Sequence, residues 1–238
     1  MREPVAQGPK EAVVVLLSGG LDSSTVAARA RHERKAVHAL SFDYEQRHRR
    51  ELEAARQVAS ALGVVEHMVL PLPFGQIGGS SLTDARLAVP DAPPDPSRIG
   101  DVVPSTYVPA RNTVFLAFAL AYAETRGCSE VHIGANALDS SGYPDCRPEF
   151  LQAFQEAARL GTKAGLEGRG IRIVAPLVRM GKADIVREAA RVGTPLHLTW
   201  SCYRGGDAAC GRCESCVLRL RGFAEAGVPD PVAYEVPA

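Results

Sequence analysis

The sequence predicts a doubly wound α/β domain, in which a parallel sheet carries helices on both faces. Five short apolar segments alternate with segments of helical periodicity, and this alternation favours parallel strands joined by right-handed crossovers. A chain of 238 residues is long enough for one such domain. In folds of this class, ligands bind beyond the carboxyl ends of the strands.

Each predicted element rests on a local pattern. Residues 11–17 form a nearly unbroken run of branched apolar side chains, which is typical of a strand buried on both faces. In 45–62, apolar residues recur at spacings of three and four, as in an amphipathic helix. The other strands are predicted over 36–42, 64–70, 130–134 and 171–175, and the other helices over 22–32, 113–123, 148–166 and 182–192.

The segment 71–109 differs from the rest of the chain. It is rich in Pro, Gly, Ser and Asp and has no pattern of a long helix. Loops of this length inside a compact domain are usually functional lids or mobile segments. We therefore expect a lid-like segment here.

The composition favours a small-molecule substrate over a nucleic acid. Lys plus Arg and Asp plus Glu both number 27, so the net charge is zero, and no long-range attraction for a phosphate backbone results. No segment approaches the roughly 20 apolar residues that span a bilayer, and the N-terminus lacks the pattern of a signal peptide. We expect a cytoplasmic protein with neither membrane nor nucleic acid as a partner.

Residues 18–24, SGGLDSS, predict a nucleotide phosphate site. They lie between a buried strand and a helix start, where backbone N–H groups lack intrahelical partners and the helix dipole attracts anions. A plain glycine turn with a helix cap is the alternative, but the complete string in this context favours ATP. Asp22 suits a magnesium ligand or a helix cap. The residues expected to bind ATP are Leu17, Ser18, Gly19, Gly20, Leu21, Asp22, Ser23, Ser24, Thr25, Val26 and Ala27.

Polar clusters at the ends of other strands predict a substrate face. Asp145 is suited to a base edge and Arg147 to a carboxylate, although Asp145 could equally cap the following helix. Lys182, at a helix start, is placed to reach ATP phosphates, with a surface lysine as the alternative. The predicted substrate residues are Asp43, Arg47, His48, Arg111, Asn112, Tyr143, Asp145 and Arg147, and the predicted catalytic residues are Asp22, Ser23, Arg111 and Lys182.

Four cysteines near the C-terminus predict a metal site. Their spacing is C-x7-C-x2-C-x2-C, which allows four thiolates to surround one zinc ion in a closed, structural site. Disulfides and an iron–sulfur cluster are the alternatives. We expect an α/β unit over 1–195 and a zinc-binding element over 196–238. The predicted ligands are Cys202, Cys210, Cys213 and Cys216.

Taken together, these motifs resemble those of the 7-cyano-7-deazaguanine synthases, within the ATP pyrophosphatase (PP-loop) superfamily. The resemblance implies an adenine nucleotide alpha hydrolase-like fold. Departures occur at Glu45, where the family has a small residue or Asn, and at Ser140, where it has an aromatic residue. The matching strings, from about position 18 to 223, are SGGLDSS, FDYEQRH, VPARN, SGYPDCRPEF, the PL…K segment at 176–182 and TWSCY…CGRCESCVLR at 199–219.

The resemblance implies an ATP-dependent ligase acting on 7-carboxy-7-deazaguanine and ammonia. ATP adenylates the carboxylate, and ammonia displaces AMP to give an amide. A second ATP adenylates the amide oxygen, and loss of AMP, which carries this oxygen, leaves the nitrile. Magnesium and one zinc per chain are implied, and a homodimer is compatible with the sequence. Two other functions remain open: a PP-loop enzyme that adenylates a tRNA base, and a nucleotide-sensing zinc module without turnover.

Overall fold

The computed structural model describes residues 11–47, 49–137 and 142–235, and it confirms the predicted parallel α/β fold. The strands pair in the order β3-β2-β1-β4-β5, and all pairs are parallel. The order reverses between β1 and β4, so the crevice expected for a ligand lies beyond the carboxyl end of β1. The strands are β1 (Ala12–Leu16), β2 (Ala36–Asp43), β3 (Glu66–Pro71), β4 (Glu130–His132) and β5 (Arg172–Val174).

Helices cover both faces of the sheet, because alternate residues of β1 point to opposite sides. Val13 and Val15 pack in the core with α1, α2, α7 and α8, whereas Val14 and Leu16 pack in the core with α4 and α5. Among the described residues, no helix has both the length and the apolar character to cross a membrane. The helices are α1 (Leu21–His32), α2 (Arg50–Leu62), α3 (Phe74–Ile77), α4 (Arg111–Arg126), α5 (Pro148–Gly161), α6 (Lys163–Leu166), α7 (Lys182–Val192) and α8 (Glu214–Ala226).

The helix predicted over 45–62 begins five residues late, at Arg50. Glu45 has a positive φ of 62°, a left-handed conformation that glycine and Asn adopt most readily. The side chain of Gln46 accepts from the Tyr44 N–H at 2.8 Å, and the Arg47 N–H donates to the Leu82 carbonyl at 3.0 Å. These contacts form a turn in which Glu45 takes the left-handed conformation, and this agrees with the expectation of a small residue or Asn at position 45.

Two further predictions about helices were wrong. The helix predicted over 148–166 breaks at Thr162, whose extended backbone ends α5 and whose hydroxyl accepts from the Gly165 N–H at 3.0 Å to start α6. The helix α8 was missed, although Cys216, Arg219 and Phe223 are buried at spacings of three and four.

The prediction that 71–109 contains no long helix is confirmed. The segment holds only the four-residue α3 and a 3-10 turn at Pro96–Arg98. Its middle is bound to the loop 199–213 before α8, called the cysteine loop below, since the Ala92 N–H donates to the Arg212 carbonyl at 2.8 Å and Arg204 donates to Asp91 at 2.7 Å. The segment therefore links the end of β3 to the cysteine cluster.

Candidate active site and metal centre

A cavity of about 230 Å³ lies at the carboxyl ends of β1, β2 and β4. Leu17 follows β1, Phe42 is the last residue but one of β2 and Gly134 lies just beyond β4, and all three line the cavity. The side chains from four separate parts of the chain meet here: the loop before α1, the start of α4, the start of α7 and the cysteine loop. This is the position that the switch in strand order predicts for a ligand site.

The SGGLDSS loop is held in shape by its own hydroxyls. The Ser18 N–H donates to Ser23 Oγ at 3.1 Å, the two serine hydroxyls lie 2.9 Å apart, and Ser18 Oγ accepts from the Gly20 N–H at 3.2 Å. Gly19 has a φ of 88°, and a Cβ there would lie 2.4 Å from the Glu51 carbonyl oxygen. Only glycine lets this loop rest directly on α2.

The stretch predicted to bind ATP is divided between cavity and core. Ser24, Thr25, Val26 and Ala27 are buried in α1 outside the cavity lining, and Gly19 contacts α2. The remaining predicted residues line the cavity, namely Leu17, Ser18, Gly20, Leu21, Asp22 and Ser23.

Asp22 and Lys182, 160 positions apart in the sequence, form an ion pair in the cavity. Lys182 Nζ lies 2.5 Å from Asp22 Oδ2, and Asn136 Nδ2 donates to the same oxygen at 2.9 Å. The other carboxylate oxygen, Asp22 Oδ1, is buried and has no hydrogen-bond partner in the described part of the chain. A buried carboxylate oxygen without a donor suits a cation.

Arg111 is the cavity guanidinium that no carboxylate neutralises within the described ranges. It donates to the Tyr44 hydroxyl at 3.4 Å and lies over the Tyr44 ring at 5.7 Å from its centroid. Burial raises the pKa of Tyr44 to about 12, so the phenol stays protonated near neutral pH. The other cavity guanidinium, on Arg219, pairs with Asp230 at 2.8 Å. Arg111 thus offers an unneutralised charge to an anion.

The 143–147 loop contributes less to the cavity than the sequence predicts. Tyr143 and Asn112 line the cavity, but neither Asp145 nor Arg147 does. The Asp145 carboxylate is buried and accepts from the Asn112 N–H at 2.9 Å, so it satisfies a backbone donor in the first turn of α4. Arg147 is exposed.

Two of the substrate residues predicted near the end of β2, Asp43 and Arg47, also lie outside the cavity lining. Asp43 Oδ2 lies 3.8 Å from Arg49 Nη2. The Arg47 guanidinium donates to the Leu87 carbonyl at 2.6 Å and to the Ala85 carbonyl at 2.9 Å, which fastens the 71–109 segment. His48 lies outside the described residues.

Several cavity residues were not singled out from the sequence. Tyr44, Glu51, Trp200 and Tyr203 all line the cavity. The backbone N–H of Trp200 donates to the Gly19 carbonyl at 2.9 Å, and this bond joins the cysteine loop to the phosphate loop. A signal was available, because the TWSCY string lies next to a metal motif and holds the chain's one tryptophan.

The four predicted metal ligands form one buried cluster. The sulfur atoms of Cys202, Cys210, Cys213 and Cys216 all lie within 4.8 Å of one another, and those of Cys210 and Cys216 are 3.9 Å apart. Four thiolates bound to one ion at a metal–sulfur distance of about 2.3 Å would be about 3.8 Å apart. The cluster therefore fits a single tetrahedral ion. All six cysteines, including Cys128 and Cys146, are free of disulfides.

Hydrogen bonds prepare this cluster for a cation. The N–H groups of Arg204 and Cys210 donate to Cys202 Sγ at 3.4 Å, and the Cys213 N–H donates to Cys210 Sγ at 3.3 Å. The neighbouring Cys213 and Cys216 thiols, which donate to Cys202, hold the pKa of that residue below its ordinary value. The same contacts raise the pKa values of Cys213 and Cys216, so an ion that binds all four thiolates displaces protons from these two.

We expect Asp145→Ala to lower the stability of the fold by about 1–3 kcal/mol, because it leaves a buried N–H of α4 unpaired. Urea unfolding monitored by circular dichroism measures the change. Arg147→Ala serves as the control, since that residue is exposed, and it should unfold like the wild type. A variant with unchanged stability but weaker substrate binding would favour the base-recognition role that the sequence predicts for Asp145.

Comparisons with known proteins agree with these motifs. The family model "Queuosine biosynthesis protein QueC" matches residues 12–227. The 7-cyano-7-deazaguanine synthase of Thermosynechococcus vestitus is 57% identical over 94% of this chain and 95% of its own length. The enzyme of the same name from Ectopseudomonas mendocina is 56% identical over 93% of this chain and 97% of its own. NMN synthetase from Francisella tularensis, a solved structure, matches with a TM-score of 0.47 at 15% identity, covering 93% of this chain and 89% of that one. The family model and the two relatives confirm the resemblance seen in the sequence, and the chain belongs to the QueC family of queuosine biosynthesis proteins.

Proposed function

We propose that this protein is an ATP-dependent ligase that converts 7-carboxy-7-deazaguanine and ammonia into 7-cyano-7-deazaguanine. The observation that carries the proposal is the unneutralised Arg111 guanidinium in the same cavity as the SGGLDSS loop and the Asp22–Lys182 pair. One cavity thus offers a site for phosphates beside a cation for a second anion. The names of the relatives support the choice of product.

The phosphate loop forms the ATP end of the cavity in this proposal. The free N–H groups at the start of α1 and the hydroxyls of Ser18 and Ser23 donate to phosphate oxygens. Lys182 adds a positive charge where the leaving pyrophosphate gathers negative charge. Asp22 Oδ1, buried without a donor, is the atom best suited to hold Mg²⁺, which when bound neutralises charge on the phosphates.

Arg111 orients the acid for attack on the α-phosphate. Its guanidinium matches the planar geometry of a carboxylate, and the aromatic rings of Tyr44 and Phe115 restrict its movement. The carboxylate oxygen displaces pyrophosphate to form an acyl adenylate, and ammonia then displaces AMP and loses a proton to give the amide. In the second round the amide oxygen is adenylated, and loss of AMP and protons leaves the nitrile. No protein nucleophile is required, since positioning supplies much of the rate.

The cysteine cluster is proposed to hold one structural zinc ion. Four thiolates occupy all four coordination positions of a tetrahedral zinc ion, so none remains for water or substrate. A four-iron cluster would hold its thiolates farther apart than these sulfur atoms, because the metal atoms are themselves separated. Free thiolates persist in a reducing compartment, which supports a cytoplasmic location.

The reaction is tested with purified protein, ATP, magnesium, 7-carboxy-7-deazaguanine and ¹⁵N-labelled ammonium. We expect mass spectrometry to detect first the amide and then the nitrile, each carrying one ¹⁵N atom. Two molecules of pyrophosphate should be released for every nitrile. Pyrophosphate release without a labelled product, or a product that appears only with added tRNA, would overturn the proposed reaction.

We expect Arg111→Met to lower kcat/KM for 7-carboxy-7-deazaguanine by about 10²-fold or more, because a buried charged partner of the substrate is worth about 2–5 kcal/mol. Methionine keeps most of the apolar volume next to Tyr44. Arg147→Met is the matched control, since the sequence predicts the same role for that arginine but its side chain is exposed. If Arg147→Met showed this loss and Arg111→Met kept full activity, the carboxylate-binding role would belong to Arg147.

A further inference from the structure

A second, smaller pocket shares walls with the main cavity. Its volume is about 30 Å³, and Tyr143, Tyr203 and Leu218 line both spaces. Gly100 and Pro104, from the 71–109 segment, complete the smaller pocket on another side. The two spaces therefore lie next to each other, with the side chains of Tyr143, Tyr203 and Leu218 between them.

Glu214 lines the smaller pocket and has no partner in the described part of the chain. It is partly buried at the first position of α8, and no described residue makes a hydrogen bond or an ion pair with its carboxylate. A carboxylate at a helix start interacts favourably with the helix dipole, but that role does not require a pocket. A partly buried carboxylate that faces a pocket and lacks a donor is suited to a ligand that brings donors.

The other carboxylates near the cavity either have hydrogen-bond partners or lie close to the phosphate loop. Asp22 is held by Lys182 and Asn136. Glu51 lies near the phosphate loop, with its Oε1 4.0 Å from the position of a Cβ on Gly20. Asp145 accepts from the backbone of α4. Among the described residues that line the two spaces, Glu214 is the carboxylate of the smaller pocket, and no residue of the phosphate loop lines that pocket.

We propose that Glu214 recognises the amino-pyrimidinone edge of the deazaguanine, an inference that rests on the proposed function. This edge presents two donors, the ring N1–H and the 2-amino group, and a carboxylate accepts from both at once. The acid group of the substrate is attached on the other ring of the base. A molecule that binds Arg111 through its carboxylate therefore extends its guanine-like edge away from ATP, between Tyr143 and Tyr203.

Kinetics with two acids test this assignment: 7-carboxy-7-deazaguanine and the same compound without its 2-amino group. The wild type should prefer the amino compound roughly 10- to 100-fold in kcat/KM, the range expected for a hydrogen bond to a charged group. In Glu214→Gln this preference should fall to within about threefold, while KM for ATP and for ammonium changes by less than about twofold. Glu149→Gln is the control, because Glu149 is also an acid in the first turn of a helix but is exposed.

Glu214 lies next to the cysteine ligands, so zinc content and melting temperature are measured in Glu214→Gln to check that the cysteine loop stays folded. A second variant tests the same pocket from another side. In Gly142→Ala the new methyl group would lie 3.5 Å from Gly100 and 3.8 Å from Pro104, which is ordinary contact, so the fold tolerates it while the pocket narrows. This variant should raise KM for the deazaguanine without changing KM for ATP.

An unchanged preference in a zinc-loaded Glu214→Gln protein would overturn the assignment, as would a rise in KM for ammonium alone. If Glu214→Gln does not fold, either of two other results would overturn the assignment. One is an unchanged KM for 7-carboxy-7-deazaguanine in Gly142→Ala, and the other is a wild type with equal kcat/KM for the two acids. Absence of nitrile from the wild type would instead contradict the proposed function, and this inference with it.

Discussion

Lys182→Met should slow nitrile formation by about 10²–10³-fold while the protein remains folded. Lys182 Nζ contacts Asp22 in the cavity, and its side chain is 15% exposed. Loss of one preorganised charge at a transferring phosphoryl group typically lowers kcat by this factor. The effect should appear mainly in kcat, since pyrophosphate carries its full charge only as it leaves.

The structure offers a matched control for this experiment. Lys163 also begins a helix, α6, but its side chain is 78% exposed. Lys163→Met should therefore keep wild-type kcat, KM and melting temperature. Methionine at 182 keeps the Cβ that packs against Gly222 of α8, so unfolding is not expected. Near-normal kcat in Lys182→Met would remove the lysine from the chemistry and leave it a structural partner of Asp22.

Cys216→Ser should remove the metal and lower the free energy of unfolding by about 4 kcal/mol or more. A structural ion contributes its binding energy to folding, and loss of such an ion is among the changes that destabilise proteins most. Elemental analysis should find one zinc per chain in the wild type and almost none in the variant. Iron with sulfide in the wild type would show that the metal assignment is wrong.

Cys128→Ser provides the control, because Cys128 is buried but lies outside the cluster. It should keep its zinc and lose only about 1–3 kcal/mol of unfolding free energy, the penalty for a hydroxyl in an apolar site.

Cys216→Ser should also lose more activity than its loss of folded protein explains. The cysteine loop carries Trp200 and Tyr203 of the cavity wall, and Arg204 ties the loop to the 71–109 segment through Asp91. A zinc-free protein with full activity would contradict this coupling.

Local patterns were sufficient for much of this protein. The run of valines in β1 predicts a central strand because only a strand covered on both faces buries such a run, and Val13, Val14 and Val15 are fully buried. The phosphate loop and the cysteine spacing are short motifs whose geometry arises within about fifteen residues. The unit boundary predicted at residue 195 stays a prediction.

Tertiary structure alone decided which of the predicted polar residues share a site. Arg111 and Arg147 both lie in plausible motifs, yet Arg111 lines the cavity without a carboxylate partner among the described residues, and Arg147 is exposed. The sequence context of Asp145 is compatible with recognition of a base or with a helix cap. In the structure its carboxylate accepts from the backbone N–H of Asn112, in the first turn of α4. Lys182 meets Asp22 because α7 and α1 pack on the same face of the sheet. Such choices depend on how distant elements pack, and no local periodicity contains that information.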